Sequence, residues 1–188
     1  MFSPLFHRLQ GLCLHASTAR RAVRTTPSLL IDALPPLGSV LYVPMHPHPS
    51  AAWSMPPGVL VDTMRLVPLL QARWLVAACT ITVDGPSEWI ECLDRDGHRC
   101  ARLYLLPDTD YLAWDAWLGR GDVGSAPDSW ARRPRPAGAQ LLCFNRRRLA
   151  CLEVLGSEAA MQVSTLSRQL AGRMARADAL PWSMQTDG

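Results

Sequence analysis

Lysine is absent from this chain: all 19 basic residues among its 188 are arginine. Coding bias accounts for most of that. Arginine also brings a planar donor fork suited to carboxylates. No apolar run approaches the roughly 20 residues that a membrane-spanning helix needs. The six cysteines form no C-x-x-C pair and have no zinc-type spacing with histidine. No H-E-x-x-H, G-x-S-x-G or Gly-rich phosphate loop occurs, so no familiar catalytic constellation is in sight. A net charge of +3 is too small to argue for nucleic acid by itself.

Acidic residues are also missing from the first 26 positions, which are expected to be a basic arm, weakly amphipathic or disordered. His7, Arg8 and Gln10 interrupt its apolar stretches, which removes a secretory core and gives a cytoplasmic expectation. Cys92 and Cys100 fall near each other across one expected hairpin, as do Cys143 and Cys151 across another. In a reducing compartment they are expected to be free, buried thiols.

Hydrophobic residues make up 48% of the chain, enough for one real core. "TTPSLLIDALPPLG" predicts a short helix, capped by Thr26, begun by Pro27 and stopped by Pro35-Pro36. "SVLYVPM" predicts a strand. The prolines of "HPHPSAAWSMPPG" exclude regular structure there. "VLVDTMRLVPLL" alternates in part and reads as another strand, with Pro68 near its end. "RWLVAACTITV" is the best central-strand candidate. Trp89 to Leu93 and Arg99 to Leu106 are expected to pair across Asp94-Arg95-Asp96-Gly97.

Asp108 or Thr109 is expected to cap a following helix whose Tyr111, Trp114 and Trp117 form an aromatic row. "QLLCFNRRRLACLEVL" suggests a second hairpin turning at Asn145 to Arg148. Val163, Leu166, Leu170 and Met174 then recur at helical spacing between about 157 and 177. The expected fold is α+β, an antiparallel β-sheet with flanking helices. Its expected parts are an arm (1–26), a sheet-and-helix unit (27–119) and a Gly/Pro/Arg-rich linker (120–139). A hairpin and amphipathic helix (140–178) complete the domain, followed by a tail (179–188).

Three pieces occur in an order that resembles the cytoplasmic hemin-utilisation, or HemS/ChuX-like, family. They are "LLIDALPPLGSVLYV", "RWLVAACTI" and "IECLDRDGHRCARLYLLPDTDYLAWDAWL". The last resembles the family most, through Asp94, Gly97, Leu103, Tyr104, Leu105, Asp110, Ala113, Trp114, Ala116 and Leu118. The resemblance spans about residues 28–119. It implies one hemin-utilisation-type unit, with short members pairing as homodimers. It also implies heme as cofactor and a heme carrier or chaperone role in hemin uptake, with heme-uptake machinery as a further partner. The sequence departs from the family pattern at two places. Leu155 stands where the iron-ligating histidine would be, and Leu75 follows Trp74 where a histidine is expected.

Other residues then come forward as candidates. Met45, His46 and His48, in a Pro-rich loop after a strand, are candidate heme contacts, with His46 and His48 the candidate iron ligands. Arg73 and Arg102 are candidate partners for heme carboxylates, with Arg99 beside Arg102 on the same strand. Two alternatives stand beside the carrier: a heme-free module that docks a partner protein through its sheet or last helix, and a heme-degrading enzyme. Neither nucleic-acid binding nor membrane insertion is expected.

Overall fold

A computed structural model describes residues 19–46, 56–82, 85–120, 122–124 and 135–177. They form a mixed α+β structure on one eight-stranded sheet. The strands are β1 (Ala19–Arg24), β2 (Ser39–Pro44), β3 (Val59–Val61), β4 (Trp74–Thr82), β5 (Gly85–Leu93), β6 (Arg99–Tyr104), β7 (Gln140–Leu149) and β8 (Leu152–Ala159). Their order is β1-β4-β5-β6-β2-β7-β8-β3. Every pairing is antiparallel except β3 with β8. The helices are α1 (Pro27–Ala33), α2 (Val67–Leu70), α3 (Tyr111–Arg120) and α4 (Thr165–Ala177). None of these helices is long and apolar enough to cross a membrane.

Local chemistry explains most of the boundaries. The Thr26 hydroxyl accepts the Leu29 amide at 3.3 Å, Pro27 occupies the first turn of α1, and Pro35–Leu37 tightens into a 3-10 turn. Asp110, rather than Asp108 or Thr109, caps α3: its carboxylate accepts the amides of Leu112 and Ala113 at 2.9 and 3.0 Å. Thr109 instead ties the preceding turn to β2 through the Ser39 carbonyl at 2.6 Å. Asp108 takes the Ser164 amide at 2.6 Å and thereby holds the entry to α4.

Four other expectations are corrected. Ala19–Arg24, inside the expected arm, is an edge strand paired along its length with β4. The stretch after Val59 is a strand for three residues only. It then winds into a 3-10 turn and α2, where Pro68 sits in the first turn and starts the helix instead of ending a strand. Arg146 to Arg148 lie within β7, paired with Leu155 to Glu153, and the turn falls beyond them at Ala150, whose φ is 54°. The last helix begins at Thr165, since Ser157 to Ala159 still belong to β8.

One sheet face carries the main core: Val40, Tyr42, Ile90, Cys92, Leu103 and Phe144 pack beneath α1, α2 and α3. Trp114 and Trp117 of α3 are buried there in edge-to-face contact, as the aromatic row predicts. The opposite face carries Leu41, Val43, Met45 and Tyr104 under α4, which presents Ala171 and Ala175. These small residues let the helix approach closely, whereas Leu166 points outward at 55% exposure. Cys79, Cys92, Cys100, Cys143 and Cys151 are free thiols.

Candidate functional site

The chemically distinctive group lies on the α4 side of the sheet, on β5 and β6. In a regular strand Arg99 and Arg102, three positions apart, would point to opposite faces. They do not, because the ladder slips: Cys92 pairs with Ala101 but Leu93 pairs with Arg99. Cys100 is the extra residue of this β-bulge, and it turns Arg99 onto the face of Arg102. Its thiol donates to the Cys92 carbonyl at 3.2 Å, while its own carbonyl accepts the Met45 amide at 3.0 Å.

Glu91 sits between the two arginines. Arg102 Nη2 donates to its Oε1 at 3.1 Å, and Trp89 Nε1 donates to the same oxygen at 3.4 Å. Arg99 Nη2 stands 3.2 Å from Oε2, an ion contact without hydrogen-bond alignment. Arg102 also donates to the Tyr104 hydroxyl at 2.7 Å and lies over the Tyr104 and Trp89 rings. The Glu91 side chain is 4% exposed, that of Arg99 19% and that of Arg102 15%.

Among the described residues, two largely buried guanidiniums face this one carboxylate. Apolar clusters flank it on both sides: Leu41, Val43 and Tyr104 on one, Trp74, Val76 and Leu93 on the other. Arg99 Nε is buried and has no acceptor among the described residues. Burial lowers the Arg99 pKa, Glu91 opposes that shift, and the charges of Arg102 and of Arg20 on β1 add to it. A desolvated cation with an unused donor is suited to an additional anion, a carboxylate above all.

The residues expected from sequence to form a site do not converge. Arg102 belongs to the group just described. Met45 is on the same face but buried against α4. His46 is exposed just past the end of β2 and one position out of phase with Met45; its amide donates to the Arg135 carbonyl at 2.9 Å. His48 lies outside the described residues. Arg73 donates to the carbonyls of Leu70 and Ala72 at 3.1 and 2.8 Å, closing the end of α2. It lies near the start of β4, three strand spacings from β2, or roughly 14 Å. Leu155, at the place of the family histidine, is fully buried in the main core.

Sequence reasoning missed Glu91, Trp89 and Tyr104 as site members. The available signal was charge: Glu91 is an acidic residue inside the apolar run from Trp89 to Leu93, facing a return strand with two arginines.

A second buried acid lies on the other face. Glu88 is 7% exposed, and burial, aided by the nearby Asp115 charge, pushes its carboxyl up to about 7. Asp94, Asp96 and His98 gather in the β5–β6 turn. There Asp94 accepts the backbone amides of Asp96 and His98 at 2.9 and 2.8 Å, which is ordinary turn chemistry.

No family model matches the chain, and no curated protein matches it. Among solved structures it is similar to holo-PhuS, a heme-binding protein from Pseudomonas aeruginosa. The TM-score is 0.40 and the identity 21%, covering 64% of this chain and 39% of that one. It is also similar to apo-PhuS from the same organism, at a TM-score of 0.33 and 17% identity, covering 60% and 38% respectively. The chain thus spans under two fifths of the length of either structure.

Proposed function

We propose that this protein binds heme and acts as a carrier, seating the porphyrin carboxylates at Arg99 and Arg102. One observation supports this reading above the rest. A β-bulge gathers two arginines and the Trp89 and Tyr104 rings on one sheet face, around a single carboxylate among the described residues. A flat anion with carboxylate arms matches that chemistry, and the resemblance of residues 28–119 to hemin-utilisation proteins points the same way. The donor set fits the carboxylates of the ligand better than its iron. Leu155 offers no ligand atom, so we assign ligation to His46, exposed just past β2, and to His48 two positions further along the sequence.

The test is a hemin titration of purified protein, following the Soret band, with a His46→Ala/His48→Ala double variant alongside. A saturable shift of about one hemin per chain, lost in the variant, is the expected result. A shift retained in the variant keeps heme and removes His46 and His48 from the site. No shift in either protein overturns the reading in favour of a partner-docking module. Exposed Leu166 on α4 and Met161 just before it favour that second role.

A further inference from the structure

Glu91 is the only acid in contact with both Arg99 and Arg102 among the described residues, and it touches each with a different oxygen. It projects from the strand beside theirs, in the register where Glu91 faces Arg102 directly. Its Oε1 is held by Arg102 and Trp89, whereas its Oε2 has, among the described residues, only the poorly aligned Arg99 contact. Unlike the solvated ion pairs of the surface, this carboxylate is almost wholly removed from water.

We infer that Glu91 is a built-in stand-in for the ligand's carboxylate: it holds Arg99 and Arg102 ready and competes with the incoming anion for Arg99. This inference rests on the proposed carboxylate site and deepens it. The two ends of the glutamate have different tasks. Oε1 keeps Arg102 and Trp89 in place, so the site is already ordered before a ligand arrives. Oε2 occupies the side of Arg99 that an external carboxylate needs, so binding exchanges one ion contact for another. The exchange favours a ligand with a carboxylate on a flat apolar body over a free small anion. Only the former adds contact with the Trp89 and Tyr104 rings and covers the flanking apolar clusters. Glu91 in this account is a specificity-determining residue, since it sets a threshold that weak anions do not cross.

The experiment compares wild type with Glu91→Gln, which keeps the shape and the Oε1 contacts but removes the charge. Three probes are used: hemin, metal-free protoporphyrin IX, and the dimethyl ester of protoporphyrin. Affinity is read from tryptophan quenching and porphyrin absorbance. Glu91→Gln is expected to bind both free-acid porphyrins about tenfold more tightly and to leave the diester unchanged. It should also gain binding of citrate that the wild type lacks. Because Glu91→Gln leaves two buried cations and can lose stability, Arg99→Gln is measured as well. That variant retains the neutral Glu91–Arg102 pair and should lose the preference for free acid over diester.

Unchanged or weaker free-acid binding by a folded Glu91→Gln overturns the inference while leaving the heme reading intact. So does an Arg99→Gln variant that keeps the preference. Protoporphyrin binding with the expected gain, but no ligation shift with hemin, keeps the inference and removes iron ligation. Failure of every porphyrin with every variant overturns both.

Discussion

Glu88 and Glu91 are three residues apart, lie on opposite sheet faces, and are both buried, yet they are handled differently. Glu91 has two arginines; Glu88 has the Asp115 carboxylate for a neighbour, and its Oε2 has no hydrogen-bond partner among the described residues. Its folded-state pKa of about 7 lies above the ordinary 4.5, so the folded chain retains a proton that the unfolded chain releases. The stabilising contribution is therefore complete below about pH 4.5 and is lost as pH rises through about 7. Glu88→Gln, which cannot ionise, should escape that loss. Its melting temperature should exceed that of wild type at pH 8 and converge with it near pH 4.5. Trp114 and Trp117, on the helix above, give a fluorescence readout. A constant offset between the two proteins at all pH values would reject the account.

Among elements, β6 shows how a local irregularity creates chemistry. Cys100 matters there as an inserted residue rather than as a thiol. Cys100→Ala should therefore retain porphyrin binding, with only a small loss from the donated sulfhydryl contact. Deleting Cys100 removes the bulge but leaves Arg99 two positions from Arg102, on one face of a regular strand and still opposite Leu93, so carboxylate-dependent binding should be retained in the same absorbance titration. Loss of binding in either variant would reject the account that Cys100 serves only as a spacer bringing the two arginines to one face.

Such irregularities mark the limit of what was legible in the sequence. The ends of α1 could be read because Thr26, Pro27 and Pro35-Pro36 act through bonds to near neighbours. The β5–β6 hairpin was legible for the same reason, its turn fixed by Asp94 and by Gly97 at φ 82°. The bulge carries no such residue: cysteine has no particular bulge preference, and only pairing with β5 reveals the slip. The turn at Ala150 was hidden likewise, since alanine seldom adopts positive φ and three adjacent arginines look more like a solvated tip. Those arginines instead work from the strand. Arg146 reaches Asp32 of α1 and Glu153 of β8, and Arg147 faces Asp62 beyond β3. Of the candidate site, the arginines of β6 were legible and the acid that organises them was not. Alternation puts Arg99 and Arg102 on opposite faces, and only the sheet register brings them together with Glu91 between them.

The whole molecule is interleaved rather than modular. β2 comes early in the chain yet lies in the middle of the sheet, with β6 on one side and β7 on the other. Its face of Leu41, Val43 and Met45 is covered by Ala171 and Ala175 of α4, more than a hundred positions later. β1 similarly closes the far side of β4, where Arg24 lies 4.7 Å from the centre of the Trp74 ring. A fragment of residues 27–119, the stretch that resembles a family unit, retains β2 to β6, α1, α2 and all but the last residue of α3. It would nevertheless expose an unpaired β2 edge, an uncovered apolar face and an unprotected β4 edge together. Open edges and bare apolar faces promote association over folding. The fragment is therefore expected to melt broadly, bind a hydrophobic dye and aggregate, whereas the full chain unfolds in one transition. Adding residues 135–177 in trans should recover part of the cooperativity by restoring β7, β8 and α4. A sharp, reversible transition in the 27–119 fragment alone would make that stretch an independent unit, with the later hairpin and helix appended to it. Calorimetry of the three samples separates the two architectures, because only interleaving makes the heat of unfolding depend on both pieces being present.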